Sequence, residues 1–459
     1  MESNTIQKER IKELNEREII DGKYVLYWMQ QSQRAEFNHA LEYAVLQANR
    51  LREPLLVLFV LMDDYPQANL RHFTFMLQGV QETMTLLKNR GIKMVVRLGK
   101  PVNTVMDLTK DAALLVCDRG YLRHQKQWRR ELADKCRCRV VQVESDIVVP
   151  VEIASDKAEY AARTIRPRIQ KHIRKFLIQP PRIQPNESSM DLKISGLDIN
   201  DTDTVLKKIK TDRRVETVER YYRGGTIQAV KQLEKFIRQS LPLYDQNHNQ
   251  PQTDDTSKMS IYLHFGQISP LHVAFAAMHS SDVDQLIKDA FLEELIVRRE
   301  LAVNFVEYSE EYDSFKRLPQ WARKTLSNHI QDKREYIYTP MQMESALTHD
   351  DYWNAAMNEM KYTGYMHNYM RMYWGKKILE WCEDPEDAFQ RTLHMNNTYF
   401  LDGRDPNSFA GVSWVYGLHD RPWAERKIFG SVRYMSASGL ERKCDINGYV
   451  AKVNGLLKK

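Results

Sequence analysis

Along residues 23–145 short apolar runs alternate with longer stretches whose apolar positions recur at helical spacing. The runs YVLYWM (24–29), LLVLFVLM (55–62), KMVVRL (93–98), ALLVCD (113–118) and RVVQVE (139–144) predict strands. Segments such as 35–50 and 70–90 predict the helices between them. Short strands separated by helix-length segments predict an α/β domain, a Rossmann-like parallel sheet with crossover helices, over residues 1–150. No G-x-G-x-x-G follows the first strand and no P-loop is present, which argues against a standard dinucleotide or nucleoside triphosphate site in this half.

The pattern changes over 151–214. Pro150, Pro167, Pro180, Pro181 and Pro185 punctuate the stretch, and 186–203 is polar and turn-rich, so it predicts a long interdomain connection draped over the surface. The stretch from Arg163 to Arg182 carries seven Lys/Arg and no acid. Such a run is either a solvated basic face or a contact for phosphates. From 215 to 459 the strand signals stop and long helical periodicities rich in aromatics predict an all-α domain, with a hairpin or loop over 428–439.

Composition narrows the class. The chain has 459 residues, 42% hydrophobic and 28% charged, with a net charge of +6. This predicts a globular protein of two or three domains whose mild basic excess suits a polyanionic partner without requiring one. The first 22 residues are charged throughout and carry no apolar leader, and the longest apolar run, 55–62, is far below the roughly 18 residues of a membrane helix. Five cysteines with only a C-x-C pair at short spacing indicate neither a disulfide framework nor a metal site. The expectation is a reducing compartment: the cytoplasm, or the nucleus of a eukaryotic host.

Four constellations carry candidate chemistry. Thr256, Ser257, Lys258, Met259 and Ser260 precede an apolar run; the hydroxyls suit either helix N-caps or an anion site. In YMHNYMRMYWGKKILEWC, Arg371, Trp374, Ile378 and Trp381 share one helical face. An aromatic stripe is ordinarily core, but an Arg within it needs a buried partner, and Asp402 in LDGRDP is an available carboxylate. With Trp353 the indoles also form a candidate electron-hopping file. In FLEELIVRREL, Glu294 and Arg298 are an i, i+4 pair; the apolar flanks predict a largely buried helix, where a carboxylate is costly and more often functional. Finally, Trp414, Arg421, Trp423, Arg426, Lys427, Arg433 and Tyr434 interleave aromatics with cations, as a base-stacking, phosphate-pairing surface or as ordinary packing with a charged exterior.

Taken together, SIYLHFGQIS (260–269), FLEELIVRREL (291–301), TGYMHNYMRMYWGKKILEW (363–381), LDGRDPNSFAG (401–411) and HDRPWAERKIFGSVRYMS (419–436) resemble the photolyase/cryptochrome family, and within it the class II cyclobutane pyrimidine dimer photolyases. The resemblance runs from about residue 27 to the end. It implies the photolyase/cryptochrome fold, an α/β antenna domain followed by a helical domain holding a bent FAD, active as FADH⁻. It implies light-driven repair of cyclobutane pyrimidine dimers in UV-damaged DNA by electron transfer to a flipped-out dimer, carried out by a monomer.

By resemblance Tyr244 and Thr256, Ser257, Lys258, Met259 and Ser260 hold the FAD diphosphate and ribityl chain. Arg371 and Asp402 pair against the flavin ring, Asn396 faces its N5, and Arg404 lies in the same loop. Trp374, Trp353 and Trp381 match a photoreduction chain, with Tyr338 near it. Glu294 matches the carboxylate that hydrogen-bonds the dimer, and Asn249, Arg298, Trp414, Arg421, Trp423 and Arg433 match lesion or DNA contacts. Two departures stand out: some members carry Trp at 298, and the family more often has an acidic residue at 397 or 400 and Gly at 408. A deazaflavin (8-HDF type) is the common antenna, and nothing in 23–145 identifies it. The rival readings are a cryptochrome-like photoreceptor without repair, a non-enzymatic nucleic-acid-binding module, and a (6-4) photolyase, which normally relies on pocket histidines.

Overall fold

The computed structural model describes residues 6–458; the extreme start read above as lacking a leader, residues 1–5, lies outside them. Six strands form one sheet: β1 (Ile11–Glu13), β2 (Tyr24–Met29), β3 (Leu55–Leu61), β4 (Lys93–Leu98), β5 (Ala112–Asp118) and β6 (Arg139–Val143), in the order β1-β6-β5-β2-β3-β4. All neighbours are parallel except the short edge strand β1, which runs antiparallel to β6. Every residue of β2, β3 and β5 is buried, because helices cover both sheet faces. The crossovers are α1 (His39–Leu51), α2 (Leu70–Lys88), α3 (Pro101–Thr109) and α4 (Arg123–Lys135).

The chain order reverses between β2 and β5, and the carboxyl ends of strands at such a switch point frame a crevice. Here the buried Asp118 carboxylate, at the end of β5, accepts backbone N–H bonds from Gln30, Gln31 and Ser32 at 2.8–3.2 Å and the Tyr27 hydroxyl at 3.1 Å. This tether delays α1, which starts at His39 rather than at 35; Asn38 caps it by accepting the Leu41 N–H at 3.1 Å. The same tethered loop docks onto the helical half: Gln31 Nε2 donates to the His264 carbonyl (2.8 Å) and Arg34 Nη1 to that of Gly266 (2.9 Å). Gly266 has φ +64°, and a Cβ there would lie 1.9 Å from the Gln31 oxygen, so the approach requires glycine.

Residues 151–214 hold more structure than their prolines suggest. They contain α5 (Val151–Ala154), α6 (Ala162–Phe176) and α7 (Thr202–Lys208). Pro167 sits inside α6, where the carbonyl it leaves unpaired belongs to Arg163 on the exposed face. The opposite face buries Ala162, Ile165, Ile169 and Phe176. Beyond residue 215 no strand occurs among the described residues. Of the hairpin or loop expected over 428–439, the structure has a loop with one isolated bridge, Arg426 to Gly430, running into a helix at Ala437–Lys443. No helix among the described residues is long and apolar enough to cross a membrane.

Candidate active site

The helical half encloses a cavity of ≈ 590 Å³. Tyr244, Asn249, Thr256, Ser257, Lys258, Met259, Ser260, Glu294, Arg371, Asn396 and Asp402 all line it. The hydroxyl segment does not supply the cap of its helix: Met259 occupies the N-cap of Ser260–His264 without a side-chain cap bond, and the Ser257 hydroxyl accepts the Met259 N–H at 3.3 Å. The Thr256 hydroxyl instead meets that of Tyr365 at 3.1 Å, the Ser260 hydroxyl has no partner among the described residues, and Lys258, in left-handed backbone (φ +57°), reaches Asp254 at 2.7 Å.

The Arg371 guanidinium and Asp402 form a bidentate pair, both contacts 3.0 Å. This is the strong, planar form of an ion pair, and Arg371 Nε also donates to the Met366 carbonyl at 3.0 Å. The guanidinium lies 4.0 Å from the Phe400 ring centre. Asn396 spends its amide N–H groups on Asn397 Oδ1 (3.0 Å) and Ser408 Oγ, which leaves its amide oxygen without a partner among the described residues. Gly411, also on the wall, faces open space: a Cβ there would meet nothing within 4 Å.

Glu294 sits where the helix through 285–307 widens into a π segment, Glu293–Arg298, the kind of local irregularity that often re-aims functional side chains. The expectation of a buried carboxylate is corrected here. The flanks Leu295, Ile296 and Val297 are buried, but Glu294 opens onto the cavity with its side chain 53% exposed. The protein mass around that concave wall still raises its pKa, neighbouring Glu293 adds to the rise, and Arg298 and His248 oppose it. Arg298 stands 3.9 Å from Glu294 and 3.5 Å from Glu293, outside the cavity lining.

Arg404 does not share the wall of its loop neighbour Asp402. Its backbone is left-handed (φ +64°), which turns the side chain to the other side, where Nη1 donates to the Asn397 carbonyl at 2.6 Å and meets His72 at 3.0 Å. There it lines a second cavity of ≈ 100 Å³ over the carboxyl ends of β2 and β3, with Trp28, Met29, Gln30, Gln31, Gln33, Trp128 and Gln125. Burial pushes the Arg404 pKa down to about 10 and that of His124, near Tyr65, to about 4. His264 lines both cavities and meets Asp405 Oδ2 at 3.3 Å. Burial raises the Asp405 pKa, but His264, Arg299 and the Asn407 N–H together hold it below the usual carboxylate value.

The tryptophans lie behind the large cavity. Phe400, under Arg371, is 6.3 Å from Trp374; Trp353 Nε1 donates to the Trp374 carbonyl at 2.9 Å; Trp353 and Trp381 are 5.3 Å apart. Trp381 then meets Tyr338 at 5.1 Å, whose hydroxyl contacts His349 Nδ1 at 2.6 Å. The helix that carries Trp374 and Trp381, Asn368–Trp381, is buried almost all round, Lys376 and Lys377 included, rather than along a single stripe. The remaining lesion candidates gather around Asp420. Arg433 pairs with it at 3.0 Å and lies 4.4 Å from the Trp423 ring and 5.4 Å from the Trp414 ring, with Arg421 5.4 Å from Trp423.

Sequence reasoning missed His248, whose ring stacks on Tyr244 at 5.1 Å and contacts Asn249 at 2.7 Å, and Arg299, which lines the cavity while donating to the Asp146 carbonyl at 2.6 Å. His264 lay within a quoted stretch, but nothing in the sequence gave it a role apart from its apolar neighbours. Tyr160 was missed as well; its hydroxyl donates to the Asp420 carbonyl at 3.0 Å.

A sequence model described as DNA photolyase matches residues 25–186. A deoxyribodipyrimidine photo-lyase of Methanothermobacter thermautotrophicus is 47% identical over 454 residues, covering 98% of this chain and 99% of its own length. One from Arabidopsis thaliana is 37% identical, with 94% and 89% covered. Among solved structures, a bacterial class III photolyase from Agrobacterium tumefaciens superposes with a TM-score of 0.71 at 17% identity, covering 96% and 88%, a likeness of fold.

Proposed function

Since the chain belongs to the DNA photolyase family, we propose that it repairs cyclobutane pyrimidine dimers in UV-damaged DNA by light-driven electron transfer within the large cavity. On this reading residues 1–150 are the antenna domain, 151–214 the connection and 215–459 the catalytic domain. The near-full-length matches to proteins named deoxyribodipyrimidine photo-lyase support repair over photoreception. The single observation that carries the reading is a cavity of dinucleotide size with a bidentate Arg371–Asp402 pair on its wall and Glu294 opening onto it.

The residues present fit FAD. Hydroxyls at Thr256, Ser257 and Ser260 and the Lys258 ammonium suit a diphosphate, Arg371 and Asp402 suit a polar ring edge, and Gly411 keeps open a volume that any side chain would enter. When bound, reduced FAD (FADH⁻) supplies on light absorption the electron that opens the cyclobutane ring and recovers it afterwards.

The chain's own work is to bind, orient and set charge. A dimer in a duplex is out of reach and must be flipped out, at a cost of about a few kcal/mol that the distorted pairing lowers. Trp414, Trp423, Arg421 and Arg433 would stack and hold the displaced strand, and Asn249 with Arg298 would contact the lesion at the rim. Glu294 would donate a hydrogen bond to a pyrimidine carbonyl as charge builds there. A carboxyl donates only when protonated, and the raised pKa favours that form. Asn396, with its amide oxygen free, would face the flavin N5. Trp374, Trp353 and Trp381, with Tyr338 at their outer end, would relay electrons that restore the reduced flavin. A deazaflavin antenna would find aromatic rings and neutral amides at the small cavity, whose ≈ 100 Å³ would seat only part of it.

Incubating the reduced, flavin-loaded protein with a dimer-containing oligonucleotide in light and in darkness tests the reading. Dimers should vanish only in the light; persistence in both conditions would refute it.

A further inference from the structure

Helix α6 carries a basic face that nothing in the site described so far uses. At 100° per residue, Arg163, Pro167, Gln170, Lys171 and Arg174 fall within an arc of about 100°, opposite the buried Ile165, Ile169 and Phe176. Arg163, Lys171 and Arg174 are exposed and have no ion pair among the described residues. Their flanking cations are already paired: Arg166 with Glu293 at 2.7 Å, Arg168 with Glu159 at 3.1 Å, and Lys175 with Glu9. The division is sharp. Cations on the sides of the helix tie it down, and cations on its outward face have no acidic partner among the described residues.

The position of α6 says what that face meets. At its start, Tyr160 bonds to Asp420 in the Trp423–Arg433 cluster and accepts from His419 at 2.7 Å. One turn into the helix, Arg166 holds Glu293, the neighbour of Glu294. At its far end, Lys175 and Phe176 touch Glu9 and Arg10 of the sheet half. The helix therefore leaves the rim of the large cavity and runs across the surface towards the edge strand. From Arg163 to Arg174 it covers about 16 Å, roughly five base-pair steps of a duplex.

We propose that the outward face of α6 is a phosphate track for one arm of the duplex that carries the lesion, with Arg163, Lys171 and Arg174 each neutralising one phosphate. The inference rests on the repair reading for the presence of a duplex at the rim, and adds where its backbone runs. These contacts carry no sequence information; they position the duplex and make binding salt-dependent.

The test is the salt dependence of binding to an undamaged duplex by the full chain. Removing three phosphate contacts lowers the slope of log K against log salt by about 2.7 and weakens binding at low salt by roughly 10- to 100-fold. The triple variant Arg163→Gln, Lys171→Gln, Arg174→Gln should show this, while repair of an isolated dinucleotide dimer, which cannot reach α6, stays at the wild-type rate and so reports an intact fold. The variant Lys207→Gln, Lys208→Gln, Lys210→Gln removes the same charge at the end of α7 and should leave the slope nearly unchanged. Equal slopes for wild type and the α6 triple would overturn the proposal, as would an equal loss in the α7 control. So would an unchanged DNA slope accompanied by lost binding to phosphatidylserine vesicles. A wild-type chain that binds no duplex at any salt would remove the repair reading itself; duplex binding with an unaltered slope removes this inference alone.

Discussion

The two cavities of this molecule are built on opposite chemical principles. The large one, within the helices, is walled by charge: Lys258, Glu294, Arg299, Arg371, Asp402 and Asp405. The small one, over the strand ends, is lined by rings and glutamine amides, with Arg404 the one Lys, Arg, Asp or Glu on its wall. They meet at His264. A wall of paired and half-paired charges is expensive unless a charged ligand uses it, whereas neutral amides suit an uncharged flat ring. On the proposed reading, the contrast places the dinucleotide and the damaged strand in the helical half and light collection in the sheet half.

The sharpest way to break the contrast is to remove one member of the central pair. Asp402→Ala strands the Arg371 guanidinium, a loss of about 3 kcal/mol, so FAD affinity should fall more than about 100-fold. Equilibrium dialysis reads it, and affinity within a few-fold of wild type would mean that the pair does not serve the flavin. Trp381→Phe should come next. Photoreduction of the oxidised protein, followed by absorption, should all but stop, while repair by chemically pre-reduced protein continues at the normal yield. Equal photoreduction rates would take the electron relay out of the account.

Glu294→Ala separates the lesion from the cofactor. Losing a hydrogen bond to a developing charge costs about 1.5 kcal/mol, so repair per absorbed photon should drop by roughly tenfold with flavin content unchanged. An unaltered quantum yield would deny Glu294 its role. The smallest effect is the most discriminating. Arg404→Gln keeps a donor for the Asn397 carbonyl, and because Arg404 faces the small cavity, flavin content should stay within about twofold of wild type. Loss of flavin from this variant would erase the distinction between the two walls.

Much of the fold was legible because parallel strands buried on both faces read as unbroken apolar runs, and β2, β4 and much of the others stand where their runs stand. β1 was not legible: three residues, one of them half-buried, leave no pattern. α6 hid behind Pro167, since a proline reads as a breaker and only the packed face of the helix shows why it is tolerated. The late start of α1 depends on Asp118, about 80 residues away in sequence, which no local window contains. At the site, Arg371 and Asp402 were paired from the cost of a lone buried charge, a local argument that the geometry permits. Arg404 was misplaced because a single left-handed residue sends adjacent side chains to opposite cavities, and sequence adjacency carries no sign of it. His248 and Arg299 gained their place only from the tertiary wall they complete.

The central claim is that the charged helical cavity is a flavin site, and the most direct measurement is the visible absorption spectrum of the purified full chain, alone and after incubation with surplus FAD. The account predicts flavin bands at one FAD per chain in wild type, abolished in Asp402→Ala and retained in Arg404→Gln. A wild-type chain that remains without flavin absorption after that incubation would contradict it.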